Sequence, residues 1–506
     1  MKQVEVIEQR IKLFWEQQEK FRSHPLQTEL PNTETPDLST LAQTNLTQAI
    51  KTIQNVDIKA VNKMCEYVSQ LEELREQINK TLSKGNCIYI CGCGASGRLA
   101  VLIEYLCKQT SSPEKKENVI GILAGGDSAM IKSLEGFEDH GALGVKQLLK
   151  AGFKDGDLLI SASASGESPF NIESTEYASK TSVKPWFLHC NTNSALKGRI
   201  KNHVIYNPNV VSLSLYVGQM ALTGSTRMQA TTALMLGLGL PLLCSGSIEK
   251  ELLNLTSFIK NIDMSPLKDF ISDEADTYKN NEFVLYDADA KYGITVLTDT
   301  TERAPTFNLA PFENQLDSDK KPSWCYLLFS ETDNVEDAWK LLLGRSIRTL
   351  NWDTETSRET LLGFDFSSKV KELRTDYAAP SHTFSVKREG NTIKLTFKER
   401  IALFDVSGLS LLPELIVLKL LLNTASTLML GRLGFYEGNL MTSLYPSNSK
   451  LIDRAIRYID FLVNVKTGKK LEYNSIAESM FEELKKLKPN ESIVKRTVDK
   501  IVKEIK

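Results

Sequence analysis

The chain has 506 residues, 42% hydrophobic and 25% charged, the balance of a folded protein and enough length for about three domains. Its 61 Lys plus Arg stand against 63 Asp plus Glu, a net charge of -2, which gives no global electrostatic case for a nucleic-acid or anionic-membrane partner. The eight cysteines fall at no zinc-ligand spacing, so neither metal nor cofactor is implied. The charged N-terminus lacks the apolar core of a secretory signal, and a cytoplasmic protein is expected.

Residues 1–22 have helical periodicity, and a polar stretch punctuated by Pro25, Pro31 and Pro36 follows. The segment 44–84 reads as one or two amphipathic helices. From Cys87 onward short apolar runs at 87–91, 119–123, 158–161 and 186–190 alternate with helix-length segments. Runs buried on both faces and separated by helices are what a parallel sheet with flanking helices requires. The same texture returns after about 265, with strands predicted at 282–286, 293–297 and 324–329 and a hairpin at 380–400 around Glu389-Gly390-Asn391. The apolar stretches 232–244 and 409–430 are interrupted by Pro241 in one and by Pro413 and Lys419 in the other, so both read as buried helices and no membrane span is expected. Helical patterns dominate from 447 to the end, and the lysine-rich tail from 480 reads as a solvated face. The expected fold class is α/β. The expected divisions are an N-terminal arm (1–45), a first α/β domain with its preceding helices (46–265), a second (266–435) and a C-terminal helical region (436–506).

The sharpest local feature is Gly92-Cys93-Gly94-Ala95-Ser96-Gly97-Arg98, between a strand and a helix. It matches the dinucleotide spacing, but the next acid, Asp127, lies about thirty residues on and behind two more glycines, a poor match for ribose recognition. A second loop, Ser163-Ala164-Ser165-Gly166-Glu167-Ser168-Pro169, also joins a strand to a helix. Two serine- and glycine-rich turns at one edge of a parallel sheet make an anion cradle. Helix N-termini point backbone N–H groups at the ligand, and small hydroxyls add donors without crowding it. Three terminal oxygens surrounded by serines suit a phosphomonoester better than a pyrophosphate. For any single serine, helix capping is the ordinary role. Two further polar segments join the candidate site: Glu135-Gly136-Phe137-Glu138-Asp139, and Leu222-Thr223-Gly224-Ser225-Thr226-Arg227-Met228 at the start of an apolar helix.

These loops, with the stretches 121–139 and 222–228, resemble sugar isomerase (SIS) domains. More narrowly they resemble the group uniting N-acetylmuramic acid 6-phosphate etherase with the glucokinase regulatory protein. The resemblance begins near 26–41 and resumes at 297–307 and 423–451. It implies two SIS domains in tandem with a C-terminal helical lid. The family's catalytic-glutamate pattern finds no glutamate after Arg98, where the matching position is Leu106 and Glu104 is out of register. It reappears at Asp299-Thr300-Thr301-Glu302, and Glu138 matches the family's other important glutamate. The resemblance also implies that Lys450 contacts a sugar phosphate. The implied site is one composite pocket between two SIS domains: Gly94, Ala95, Ser96, Glu138, Ser163, Ala164, Ser165, Gly166, Glu167, Ser168, Ser225, Thr226 and Arg227 from the first half, Glu302 and Lys450 from the second. No glycine–serine loop follows the strands at 283–286 or 324–329, so the equivalent second pocket is expected to be lost.

Two glutamates over a bound sugar phosphate suit an etherase that removes the proton beside the sugar carbonyl, expels lactate and adds water. Three departures from the family pattern argue instead for binding without turnover: Gly218-Gln219-Met220 in place of Gly-Pro-Glu, Gln229 in place of lysine, and Arg303-Ala304 beside the candidate acid. With the tandem layout, they favour a regulatory protein that binds a hexose 6-phosphate of the fructose class and acts on a sugar kinase. The etherase, using Glu138 and Glu302, is the alternative, and a sugar-phosphate isomerase a further one.

Overall fold

The structure is a computed structural model that describes residues 2–17, 25–110, 112–132, 134–199, 203–447, 449–488 and 491–505. Two five-stranded sheets organise it. The first comprises β1 (Ile88–Gly92), β2 (Val119–Leu123), β3 (Leu158–Ser163), β4 (Trp186–His189) and β5 (Val211–Ser214), all parallel, in the order β2-β1-β3-β4-β5. The first four are the runs expected from the sequence, and they are buried on both faces because helices cover both. The chain moves outward from β1 to β2, then crosses to β3 on the other side. The crevice at the carboxyl ends of β1 and β3 is thus the switch point where open α/β sheets bind ligands.

The second sheet comprises β6 (Phe283–Ala288), β7 (Cys325–Leu328), β8 (Ser381–Glu389), β9 (Thr392–Phe397) and β10 (Arg400–Asp405), in the order β10-β9-β8-β6-β7. β7, β6 and β8 are parallel, and β9 and β10 extend the sheet antiparallel. The expected hairpin is the β8–β9 pair, closed by Gly390-Asn391 with Gly390 at φ +58°. The strand expected at 293–297 does not exist: those residues lie in the helix Ala290–Phe307. Ile294, Thr295 and Val296 carry the branched side chains typical of strands, but here all three are buried in a helix. The hydroxyls of Thr298, Thr300 and Thr301 donate to the carbonyls of Ile294, Val296 and Leu297 four residues back, so these threonines are satisfied inside it.

Both apolar stretches are core helices, Gln229–Leu243 and Leu411–Arg432. Among the described residues only the latter is long and apolar enough to cross a membrane, and 94% of its apolar window is buried inside the protein. It packs against the helices Leu46–Lys63, Gln229–Leu243, Leu267–Lys279 and Ala290–Phe307, so the two sheets share one hydrophobic core. The C-terminal helices Ser449–Thr467, Tyr473–Leu484 and Ile493–Ile505 form a separate layer. The N-terminal helix Lys2–Gln17 joins it through Phe14 and Trp15, each about 5.7 Å from the Phe481 ring.

Candidate functional site

The glycine loop joins β1 to the helix Gly94–Lys108 by close approach rather than by flexibility. A Cβ on Gly97 would lie 2.5 Å from the Gly92 carbonyl oxygen, and one on Gly92 would lie 2.7 Å from the Ser96 carbonyl carbon. Larger residues would push the helix N-terminus off the strand end. The second loop joins β3 to the helix Pro169–Ala178. The two loops touch: the Cys93 thiol lies 3.1 Å from the Ser168 hydroxyl, and Asn171 Nδ2 donates to the carbonyls of Cys91 (3.1 Å) and Ala162 (3.3 Å), binding both strand ends. Ser96, Ser163, Ser165 and Ser168 are all buried here. Ser163 Oγ accepts the Gly166 N–H and Ser165 Oγ the Glu167 N–H, bonds that tighten the turn. Gly94, Ala95 and Ala164 add no bulk between these groups.

Two histidines back the second loop. Gly166 sits at φ +80°, where a Cβ would meet Leu196 and His189. His203 Nε2 bonds the Gly166 carbonyl while its Nδ1 accepts the Ile205 N–H, an arrangement that needs the neutral ring. Burial pulls the His189 imidazole from 6.5 down to about 4. The unfolded chain therefore holds a proton that the folded chain refuses between those values. The stability contributed by a neutral His189 is full above about 6.5 and falls by up to about 3 kcal/mol as pH drops to 4. The expected result is a lower urea midpoint at pH 5 than at pH 7, with the difference narrowed in His189→Gln; an unchanged difference would remove His189 as its cause.

Glu138 lies on the four-residue helix Glu135–Glu138 close to the glycine loop: after burial, its charge is the next influence raising the Cys93 thiol. Burial also pushes the adjacent Asp139 carboxyl up, and the Lys450 ammonium offsets part of that. Lys450 thus reaches the same side of the site from the C-terminal layer. Glu167 points there too, paired with Arg199, at the rim of a cavity of about 440 Å³ that Lys450, Arg454, Arg457 and Tyr458 also line.

The second half of the chain enters through Glu302. Its carboxylate pairs with Arg98 Nη1 on the glycine-loop helix, and Arg98, 1% exposed, also donates from Nε to the Met130 carbonyl at 2.7 Å. The sequence places Arg98 at the end of the glycine loop but carries no sign of this distant partner. Ser225 is buried, and its hydroxyl has no hydrogen-bond partner among the described residues. Thr226 follows it in the same turn, its N–H bonded to the Gly224 carbonyl.

Arg227 is placed differently from the phosphate contact implied by the resemblance. Its guanidinium turns into a buried seam between the two sheets and donates to Asp299 Oδ1 (2.9 Å), Ser426 (3.1 Å) and Thr427 (2.8 Å). Asp299 also accepts from Arg303, Asn423 and Ser426. Burial opposes the Asp299 charge, but Arg303, Arg227 and the hydrogen bonds outweigh it and hold this carboxyl below its usual range. Lys419 lies in the same seam and donates to the Met228 carbonyl, Thr232 and Asn423. Burial pulls Lys419 down and pushes Asp57 up, each charge partly supporting the other.

Two of the three departures lose their force in this light. Arg303 points away from the site, bonded to Glu274, Tyr286 and Asp299 in the second half's interior. Gln229 donates to Asp57 and accepts the Ala221 N–H, while Lys419 brings a buried cation to the preceding carbonyl. Asp127, the acid a dinucleotide site would need, is held by Arg345 through two bonds of 2.7 and 2.8 Å, which leaves no ribose-binding role. At the corresponding edge of the second sheet, Asp287 accepts from Ser330 and Lys387, so acid and lysine fill the place of a phosphate loop.

Residues 70–178 match the family described as the glucokinase regulatory protein N-terminal SIS domain. The N-acetylmuramic acid 6-phosphate etherase 1 of Bacillus licheniformis is 40% identical over 153 residues, 30% of this chain and 47% of that protein. The N-acetylmuramic acid 6-phosphate etherase of Bacillus subtilis is 32% identical over 215 residues, 42% of this chain and 66% of that protein. The chain belongs to the SIS-domain family of the glucokinase regulatory protein and the N-acetylmuramic acid 6-phosphate etherases. This SIS-domain chain spans about half to two thirds of the length of these curated relatives. Among solved structures, tagatose-6-phosphate ketose/aldose isomerase from Escherichia coli aligns with 81% of this SIS-domain chain and 99% of its own, at 12% identity and a TM-score of 0.43.

Proposed function

We propose that the chain binds a hexosamine 6-phosphate at the carboxyl ends of β1 and β3 and cleaves the lactyl ether of N-acetylmuramic acid 6-phosphate. The carrying observation is the pair of Arg98 and Glu302, which brings a glutamate of the second half to the glycine loop that Glu138 also approaches. The relatives named as etherases support the substrate class. The phosphate would lie against the N-termini of the helices Gly94–Lys108 and Pro169–Ala178, where anions are favoured, with Ser96, Ser163, Ser165 and Ser168 as hydroxyl donors. The buried, unpartnered Ser225 hydroxyl fits a polar ligand.

The chemistry needs no external oxidant or metal. With the sugar ring open, one glutamate takes the proton from C2, beside the aldehyde carbon. The C3–O bond breaks with its electron pair on oxygen, and the other glutamate protonates the departing lactate. Water then adds to the C2–C3 double bond, restoring a proton at C2 and a hydroxyl at C3. The products are N-acetylglucosamine 6-phosphate and lactate. The cradle holds C2 and C3 between the two carboxyls throughout.

A second reading, a sugar-phosphate-binding regulator acting on a sugar kinase, is favoured by the family match at residues 70–178 and by the two sheets in tandem. Proton and phosphorus NMR of the protein with N-acetylmuramic acid 6-phosphate, with fructose 6-phosphate in parallel, separates the two. Lactate accumulating over time is the expected result. A perturbed phosphorus signal without lactate overturns the etherase in favour of the regulator, and two unperturbed sugars overturn both.

A further inference from the structure

Glu138 sits on a helix of one turn, Glu135–Glu138, which cannot hold its shape by its own backbone bonds. Its anchor is the neighbouring Phe137, 6% exposed, and the second half of the chain supplies the other side of that anchor. The Trp352 ring stacks on Phe137 at 5.9 Å and 13°, while Lys146 Nζ lies 4.1 Å from the centre of the indole on its way from the helix Gly141–Lys150. Leu350 is buried in the cluster that holds Phe137, and its carbonyl accepts from Lys150. Nearer the helix Val335–Leu343, Arg345 grips Asp127 with two bonds, and Arg348 grips the buried Glu104 with bonds of 2.7 and 3.0 Å. The far end is fixed by a turn in which Thr356 Oγ1 accepts the N–H groups of Trp352 and Asp353.

We propose that the segment Arg345–Trp352 is a strap by which the second half positions Glu138, with Trp352 as the positioning residue. The second half then sets both carboxyls of the site, Glu302 directly and Glu138 through the Phe137–Trp352 stack. The inference rests on the etherase reading for its effect on turnover, but not for its effect on structure. Trp352 stacks on Phe137 and donates its N–H to Thr356, with no bond to the serine loops among the described residues, so it is expected to act on the geometry of Glu138 and not on phosphate binding.

The test uses the full chain with Trp352→Ala and Trp352→Phe, the latter keeping an aromatic ring on Phe137. For Trp352→Ala, kcat for lactate release is expected to fall about ten- to a hundredfold, the scale of a misplaced catalytic group, with KM within about twofold. Trp352→Phe is expected to recover most of kcat. Amide exchange in the peptide 134–140 is expected to speed up in Trp352→Ala and to stay near wild type in Trp352→Phe. Wild-type kcat and exchange in Trp352→Ala, or a KM that rises as far as kcat falls, would overturn the strap. Wild-type protein that releases no lactate overturns the etherase reading instead, and exchange in 134–140 then decides the strap alone.

Discussion

Glu302→Gln is expected to lower lactate release by about two to four orders of magnitude, the range for loss of a positioned acid or base. The glutamine keeps the size of the side chain and an oxygen that can accept from Arg98 Nη1, so the helix Ala290–Phe307 stays docked on the glycine-loop helix. Fructose 6-phosphate or inorganic phosphate is therefore expected to bind within a fewfold of wild type, because the serine loops belong to the first half. Single-turnover lactate release beside a phosphate-binding titration measures both quantities. Equal loss of binding and turnover would make Glu302 a docking residue. Unchanged turnover would place the chemistry elsewhere.

The second large effect belongs to the seam. Asp299→Ala removes the anion shared by Arg227 and Arg303, all three within 4% exposure. Arg303 retains Glu274 at 2.8 Å, but Arg227 is left buried without an ion-pair partner, its remaining hydrogen bonds going to the hydroxyls of Ser426 and Thr427. Breaking one side of a buried ion pair costs about 3–5 kcal/mol, chiefly because the remaining charge stays out of water. A clear fall in the urea midpoint is expected. The double replacement Asp299→Leu with Arg227→Met removes both charges and should recover much of that loss. If the double variant is as unstable as Asp299→Ala, the seam is held by shape rather than by charge balance.

The parallel strands were legible because a strand covered by helices on both sides is apolar at every position, a signal independent of partners. β5 was missed because Val211-Ser212-Leu213-Ser214 is short, at a sheet edge and half polar. The helix at 293–297 was misread because branched residues favour strands locally, and only tertiary burial decided the matter. The two serine- and glycine-rich loops were legible as strand-to-helix turns of small residues. The roles of Arg98, Asp299 and Arg303 were not, because each depends on a partner far away in the chain, and one sequence records no pairing. Glu104, out of register with the glutamate pattern, is bound by Arg345 and Arg348. Trp352 stood in an irregular segment without motif or periodicity, and 215 positions separate it from Phe137.

The two sheets differ at their carboxyl edges. Asp287, bonded to Ser330 and Lys387, puts a carboxylate and its partners where the first sheet has its serine- and glycine-rich loops. If the first sheet's loops take a sugar phosphate as proposed, the expected titration is one ligand per polypeptide along a hyperbolic isotherm. Two matched cradles could communicate, one occupied before the other. With one cradle only, a Hill coefficient of one is the expected result.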